Sequence, residues 1–214
     1  MRSIRFFMVF VLFTSFDAEA ALPDDRTGFM LRFHGGAGYS ETSRDLGGHI
    51  GILSVKGASG FAQFAVGGFI IPNLALHATF FGFEASEPTI EDARGERHDS
   101  EAVEVTFSLQ AAGIGLTYYL MPANVYFSAS LGMGKAVLEV SDGNRSVEDR
   151  SKDGFCSTAS IAKEWSVSSS WSLGVGGQFN YALIPVGIAA ECIGSCDQDM
   201  QSLSGGVFFS ATYN

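Results

Sequence analysis

The sequence has 214 residues, of which 46% are hydrophobic, and a formal net charge of −10 at pH 7. A chain this acidic does not suit nucleic acid, whose phosphates are bound by lysine and arginine. Its mean hydropathy is only +0.19. After residue 20 it contains no apolar run of the roughly 18 residues that a membrane-spanning helix needs. The length suffices for one domain.

The first residues have the pattern of a secretory signal. Two arginines precede an apolar run over 6–13, and Ala18-Glu19-Ala20 is a small-x-small cleavage site. The apolar run is too short to cross a membrane as a helix. The expected organisation is a signal peptide, an N-terminal lead-in and one domain, at residues 1–20, 21–27 and 28–214.

Eight segments alternate between apolar and polar residues with the period of a β-strand. They lie at about 28–40, 58–70, 74–86, 102–119, 125–140, 154–165, 171–185 and 202–213. In the seventh, one face carries residues such as Trp171 and Phe179, and the other carries small or amide residues such as Gln178 and Asn180. A strand that faces water would normally carry charges. Uncharged polar groups suit an enclosed interior, so we predict that the apolar face points into lipid.

The connections between these strands are of two kinds. The short ones are at 71–73, 121–124 and 167–170. The long ones are at 42–57, 87–101, 142–153 and 187–201. Alternate connections of an up-and-down barrel lie at the same end, so all the short turns share one end and all the long loops the other. Membrane barrels of bacteria show this asymmetry.

The signal pattern, the alternation, the sorted loops and a last strand with Phe209 and Tyr213 resemble the small eight-stranded outer-membrane barrels of the OmpA and OmpX kind. The resemblance covers the chain after residue 20. It implies an all-β, eight-stranded antiparallel up-and-down transmembrane β-barrel, preceded by a cleavable signal peptide, in the bacterial outer membrane. It also implies contact with outer-membrane lipid and lipopolysaccharide, and we expect a monomer. One difference is that Asn214 follows the aromatic Tyr213.

The lumen of an eight-stranded barrel is filled by its own side chains. We expect a structural lumen network of Arg32, His34, His77, Glu104, Gln110, Gln178 and Asn180. Arg32 and Glu104 are predicted to form an ion pair, because a buried charge needs a partner. The apolar residues of the fourth strand change parity at 111–113, which predicts a β-bulge. A filled lumen predicts little or no conductance.

Aromatic residues gather on the expected outward face, mainly beside the short turns. The predicted lipid-facing girdle is Tyr119, Trp165, Trp171, Tyr181, Phe209 and Tyr213. Rings of this kind sit at the depth of the lipid headgroups. Lys163, close to Trp165, is expected to extend to the membrane interface.

Cys192 and Cys196 in the last long loop are candidates for a disulfide in an oxidising compartment, and Cys156 is expected to be buried. No histidine lies at ligand spacing around the cysteine pair, so no metal and no other cofactor is expected. His98-Asp99-Ser100 contains the residue types of a catalytic triad. Three consecutive loop residues rarely converge in the way that a triad requires.

These observations favour an integral outer-membrane barrel that is neither an enzyme nor an open pore. Its role would be structural or a surface interaction through the long loops, with a surface partner that the sequence does not identify. One alternative is a soluble secreted or periplasmic barrel, like a lipocalin, that binds a small apolar ligand inside. A third hypothesis is an outer-membrane enzyme that modifies lipid A.

Overall fold

The computed structural model describes residues 25–45, 52–86, 89–91, 97–98, 104–141, 146–187 and 197–214. The expected signal peptide and the candidate disulfide between Cys192 and Cys196 lie outside these ranges. The described residues form β-strands joined by turns. None of their segments is a helix that could cross a membrane.

Eight long strands form the wall. They are β1 Phe29–Asp45, β2 Ile52–Ile71, β3 Leu74–Ser86, β6 Glu104–Leu120, β7 Val125–Ser141, β9 Gly154–Ser166, β10 Trp171–Gly187 and β11 Asp197–Tyr213. Three short strands, which the sequence did not predict, are β4 Thr89–Glu91, β5 Arg97–His98 and β8 Ser146–Arg150. All pairs are antiparallel, and β1 pairs with both β2 and β11, which closes the sheet. The predicted eight-stranded up-and-down barrel is confirmed.

The two ends of the barrel differ. The tight connections after β2, β6 and β9 lie at one end, here called the turn end, together with the start of β1 and the end of β11. Asn73 and Asn124 take positive φ values of 66° and 51° in two of these turns, as asparagine can. At the opposite end, the loop end, β4 extends the sheet beside β2 and β8 extends it beside β7. Several strands therefore continue further toward the loop end than predicted.

The large apolar side chains of the wall point outward. Trp171, Phe179 and Phe209 are 40%, 50% and 68% exposed. Gln178 and Asn180, on the opposite face of β10, are buried inside the barrel. A soluble lipocalin-like barrel would need the opposite arrangement, so the structure does not favour that alternative.

The interior itself is divided. Its turn-end half is polar, whereas one wall of its loop-end half is apolar. This apolar inner cluster consists of Phe61, Phe81, Phe83, Phe107 and Leu109, all buried. The rings of Phe83 and Phe107 lie 5.9 Å apart. Hydroxyl and amide groups were expected throughout the interior, and this cluster corrects that expectation.

The predicted bulge at 111–113 is absent. The register of β6 with β3 and with β7 continues through these residues without a shift. Phe107 and Leu109 are consequently buried inside, while Gln110 is exposed on the outward face. The prediction that Gln110 lines the lumen is therefore wrong. The prediction failed because the inner wall is apolar here. Apolar residues of β6 therefore occupy inward positions, and no bulge is needed to explain the pattern.

A close approach between two strands explains one glycine pair. Gly113 on β6 lies directly opposite Gly132 on β7. A Cβ atom added to Gly113 would lie 2.0 Å from the carbonyl oxygen of Leu131. Glycine is therefore required where the two strands approach this closely.

Candidate functional site

The residues just before β1 fold back against the turn end and insert Arg26 into the barrel. The Arg26 amide donates to Asn73 Oδ1 at 2.8 Å, and the Asn73 amide donates to the Arg26 carbonyl at 2.9 Å. The Arg26 side chain is buried, and its Nη2 lies 2.9 Å from Glu164 Oε2. The same nitrogen lies 2.9 Å from Asn124 Oδ1 and 2.9 Å from Ser172 Oγ. Arg26 thus connects the lead-in to three other parts of the barrel.

Glu164 is the acidic partner in this site, and it is fixed from several sides. Its Oε1 accepts a hydrogen bond from the Thr212 hydroxyl at 2.6 Å. Its backbone amide donates to the Asn124 carbonyl at 3.0 Å, and Asn124 Nδ2 donates to the Glu164 carbonyl at 3.2 Å. Among the described residues Glu164 is the buried carboxylate. Its ion pair with Arg26 provides the compensation that a buried charge requires.

Two tyrosines separate this ion pair from a second arginine. The Arg26 guanidinium lies 4.3 Å from the centre of the Tyr119 ring, and the Arg32 guanidinium lies 4.3 Å from that of Tyr126. The two rings are 5.5 Å apart. Tyr119 was predicted in the lipid-facing girdle, but it is fully buried in the lumen. It is Tyr118, the next residue along β6, that faces outward, because neighbouring strand residues point to opposite sides.

Arg32 and His77 meet at a shared hydroxyl. Arg32 Nη2 lies 3.0 Å from Thr117 Oγ1 and 2.9 Å from Ser128 Oγ, and His77 Nε2 lies 3.0 Å from the same Thr117 oxygen. The predicted ion pair with Glu104 is wrong, because the backbones of the two residues lie too far apart. Glu104 begins β6 at the loop end, about 40 Å along the strand from Thr117. Arg32 lies near the turn end, so the two residues belong to opposite ends of the barrel.

Other predicted lumen residues form a separate group nearer the middle of the barrel. Gln178 Nε2 donates to Asn180 Oδ1 at 2.7 Å, and Asn180 Nδ2 donates to Ser204 Oγ at 2.9 Å. His34 stacks on Phe208 with ring centres 4.3 Å apart. The structure thus places these three predicted residues inside, but not in one network with Arg32.

The other girdle residues lie on the outward face. They are Trp165, Trp171, Tyr181, Phe209 and Tyr213, with Tyr181 the least exposed of them. The rings of Trp171 and Tyr213 are 5.4 Å apart at the turn end. Lys163 also faces outward there.

Sequence reasoning missed Arg26 and Glu164. Arg26 lies in the segment assigned to the lead-in, outside the barrel. A signal for Glu164 was present, because it has the parity of the lumen residues Thr158, Ser160 and Ala162 on β9. A charge at such a position implies a buried partner.

The side chains of this site close the turn end of the lumen. Arg26 is paired with Glu164, and Arg32 is hydrogen-bonded to the hydroxyls of Thr117 and Ser128. Across the described ranges, no group of histidine, cysteine and acidic residues is arranged to hold a metal ion. Cys156 is a buried free thiol. Of His98-Asp99-Ser100, only His98 lies in the described part of the chain.

A closed antiparallel barrel with an apolar exterior, a filled interior, tight turns at one end and long loops at the other is the architecture of transmembrane β-barrels. The chain therefore has the fold of the outer-membrane barrel class. No family model and no curated protein matches its sequence.

Several solved structures are similar to it. Ail, the attachment invasion locus protein of Yersinia pestis, in complex with the heparin analogue sucrose octasulfate, is 9% identical, with a TM-score of 0.45 over 86% of this chain and 99% of that one. The outer membrane protease OmpT from Escherichia coli is 9% identical, with a TM-score of 0.49 over 90% and 97%. Neisserial surface protein A is 15% identical, with a TM-score of 0.43 over 83% and 95%.

Proposed function

We propose that this chain is an integral, non-catalytic protein of the bacterial outer membrane that does not form an open pore. The observation that supports this proposal is a filled lumen inside an apolar outer surface. The ion pair of Arg26 and Glu164 occupies the turn end, and the apolar inner cluster fills part of the loop-end half. The function of such a barrel lies in its membrane contacts and in its loops.

A lumen filled at the turn end and in part of the loop-end half predicts that the protein does not conduct ions. Reconstituted in a planar lipid bilayer, the protein is expected to show no stable open conductance. Arg26→Ala is expected to remain closed as well. The apolar inner cluster, in which Phe83 contacts Phe107, still obstructs the loop-end half. A stable pore of nanosiemens size in the wild-type protein would contradict the proposal.

The loops at the loop end suit a cationic partner. The segments 87–101, 142–153 and 187–201 together carry 13 acidic and 5 basic residues. Carboxylate oxygens are the preferred ligands of calcium and magnesium. These loops therefore bind divalent cations that bridge them to the phosphates of lipopolysaccharide. The anionic sugar found with Ail would not suit so acidic a surface.

Charge removal in the segment 187–201, which ends in the first residues of β11, tests this surface role. The variant Glu191→Gln/Asp197→Asn/Asp199→Asn is expected to copurify with severalfold less lipopolysaccharide in magnesium than the wild-type protein. Chelation with EDTA should remove the difference. Asp25→Asn, at the turn end, is the matched control and should bind as the wild type does. Equal retention by all three proteins would refute a cation bridge through this segment.

A further inference from the structure

A groove on the outward surface of the barrel crosses several strands near the turn end. Its volume is about 680 Å³. Small residues form its floor, since Ala129 on β7 lies directly opposite Ala159 on β9, and Gly177 on β10 lies opposite Ile161. Larger apolar residues border it, namely Leu116, Phe127, Ile161 and Phe179.

These bordering side chains show which medium fills the groove. Leu116, Phe127 and Ile161 are 48%, 47% and 48% exposed. They stand on the outward face, so the groove opens to the surroundings of the barrel. The inward-facing residues Ser128, Ser160 and Gln178 also border it. At this position the surroundings are the hydrocarbon layer of the membrane. The volume falls within the range of about 300–1,000 Å³ typical of ligand sites.

A positive charge lies beside the groove, on its turn-end side. Lys163 is two residues from Ile161 on the same face of β9, about 7 Å nearer the turn end. Its Nζ donates to the neutral carbonyl of Ala123 in the turn after β6. An ammonium group has three donors, so further donors remain for a second acceptor. Trp165 follows on the same outward face at interfacial depth.

Two other lysines on the barrel are arranged differently. Lys56 pairs with Glu41 at 3.0 Å, and Lys135 pairs with Asp153 at 3.6 Å. Both pairs lie toward the loop end. Lys163 instead contacts a neutral oxygen at the end of the barrel that faces the periplasm.

We propose that this groove binds one phospholipid of the periplasmic leaflet, with an acyl chain between Ile161 and Phe179 and the phosphate on Lys163. The apolar lining matches the chain, and the ammonium group matches the phosphate. The location selects the lipid, because the periplasmic leaflet consists of phospholipid, whereas lipopolysaccharide lies in the outer leaflet at the loop end. The proposal does not depend on the role of the acidic loops.

Native mass spectrometry of the purified full-length barrel tests the site. The probes are phosphatidylglycerol and a diacylglycerol with the same acyl chains, which lacks the phosphate. The wild-type protein is expected to retain one phosphatidylglycerol. Lys163→Gln should lower this retention about tenfold and leave diacylglycerol binding unchanged. Ala159→Phe, which fills the floor of the groove, should abolish retention of both lipids.

Two control variants match these changes in type but lie elsewhere. Ala62→Phe places the same ring on the outward face of β2, on the opposite side of the barrel from β9. Lys135→Gln removes a lysine at the loop end. Both should bind as the wild type does, and heat-modifiable gel migration checks that every variant is folded.

Three results would overturn the proposal. The first is phosphatidylglycerol retention that neither Lys163→Gln nor Ala159→Phe alters. The second is lipopolysaccharide that the wild-type protein retains in EDTA in preference to phosphatidylglycerol and that Ala159→Phe releases. The third is loss of a dimer, and not of lipid, in Ala159→Phe, which would show that a second copy of the chain occupies the groove.

Discussion

Glu164→Gln is expected to lower the free energy of unfolding of the barrel by about 3–5 kcal/mol. The substitution leaves the Arg26 guanidinium, now 2.9 Å from the carboxylate, buried without a counter-charge. Glutamine keeps the shape and can still accept a hydrogen bond from Thr212. The measurement is urea unfolding of the refolded barrel in phospholipid vesicles, followed by tryptophan fluorescence.

Two further variants show whether the charge is the cause. Arg26→Met/Glu164→Leu removes both charges and should cost less than Glu164→Gln alone. Asp153→Asn removes the partner of Lys135 from an exposed pair and should cost less than about 1 kcal/mol. If Glu164→Gln unfolds like Asp153→Asn, the lead-in leaves the barrel readily and the ion pair does not stabilise it.

Val207→Arg is expected to lower the free energy of unfolding by about 2–4 kcal/mol, the cost of a charge near the middle of the lipid-facing belt. Among the large apolar side chains of the described residues, Val207 is the most exposed, at 69%, and it lies six residues from the turn end of β11. In water the same substitution on an exposed strand would have little effect.

Gln110→Arg provides the comparison. Gln110 also faces outward, but it lies nearer the loop end of β6, where the cost of an arginine falls to about 0–1 kcal/mol. The same unfolding assay measures both variants. Equal stability of Val207→Arg and Gln110→Arg would mean that Val207 does not face hydrocarbon.

The sequence was sufficient to predict the strands and the faces of β10 and β11, because their two faces differ in kind. Aromatic and aliphatic residues such as Phe179 and Phe209 alternate there with small polar groups such as Asn180. Because the polar faces carry no charged residues, an enclosed position suited them better than a position facing water.

The sequence was not sufficient for β6, where both faces contain apolar residues. The rule that apolar residues face lipid fails beside the apolar inner cluster, because Phe107 and Leu109 pack inside. The change at 111–113 therefore looked like a bulge. Tyr119 presented the same difficulty, since its neighbour Tyr118 is aromatic too and only the register decides which ring faces outward.

The site at the turn end could not be predicted because it joins residues distant in sequence. Arg26 and Glu164 lie 138 positions apart. The sequence assigned Arg26 to the lead-in and Glu164 to a strand that ends beside the membrane interface. Their pairing follows from closure of the barrel, which brings the start of β1 to the ends of β9 and β11. A search for charged residues at the lumen-facing positions of each strand would have identified Glu164, but not its partner.

Quenching of tryptophan fluorescence by brominated phospholipids is the most direct test of the arrangement of the two faces. The chain has 2 tryptophans, and Trp165 and Trp171 both face outward at the turn end. In reconstituted vesicles, both should be quenched, most strongly by bromine placed close to the headgroups. Emission that brominated lipid leaves unchanged, from a protein that stays in solution without detergent, would contradict the outward orientation of the rings.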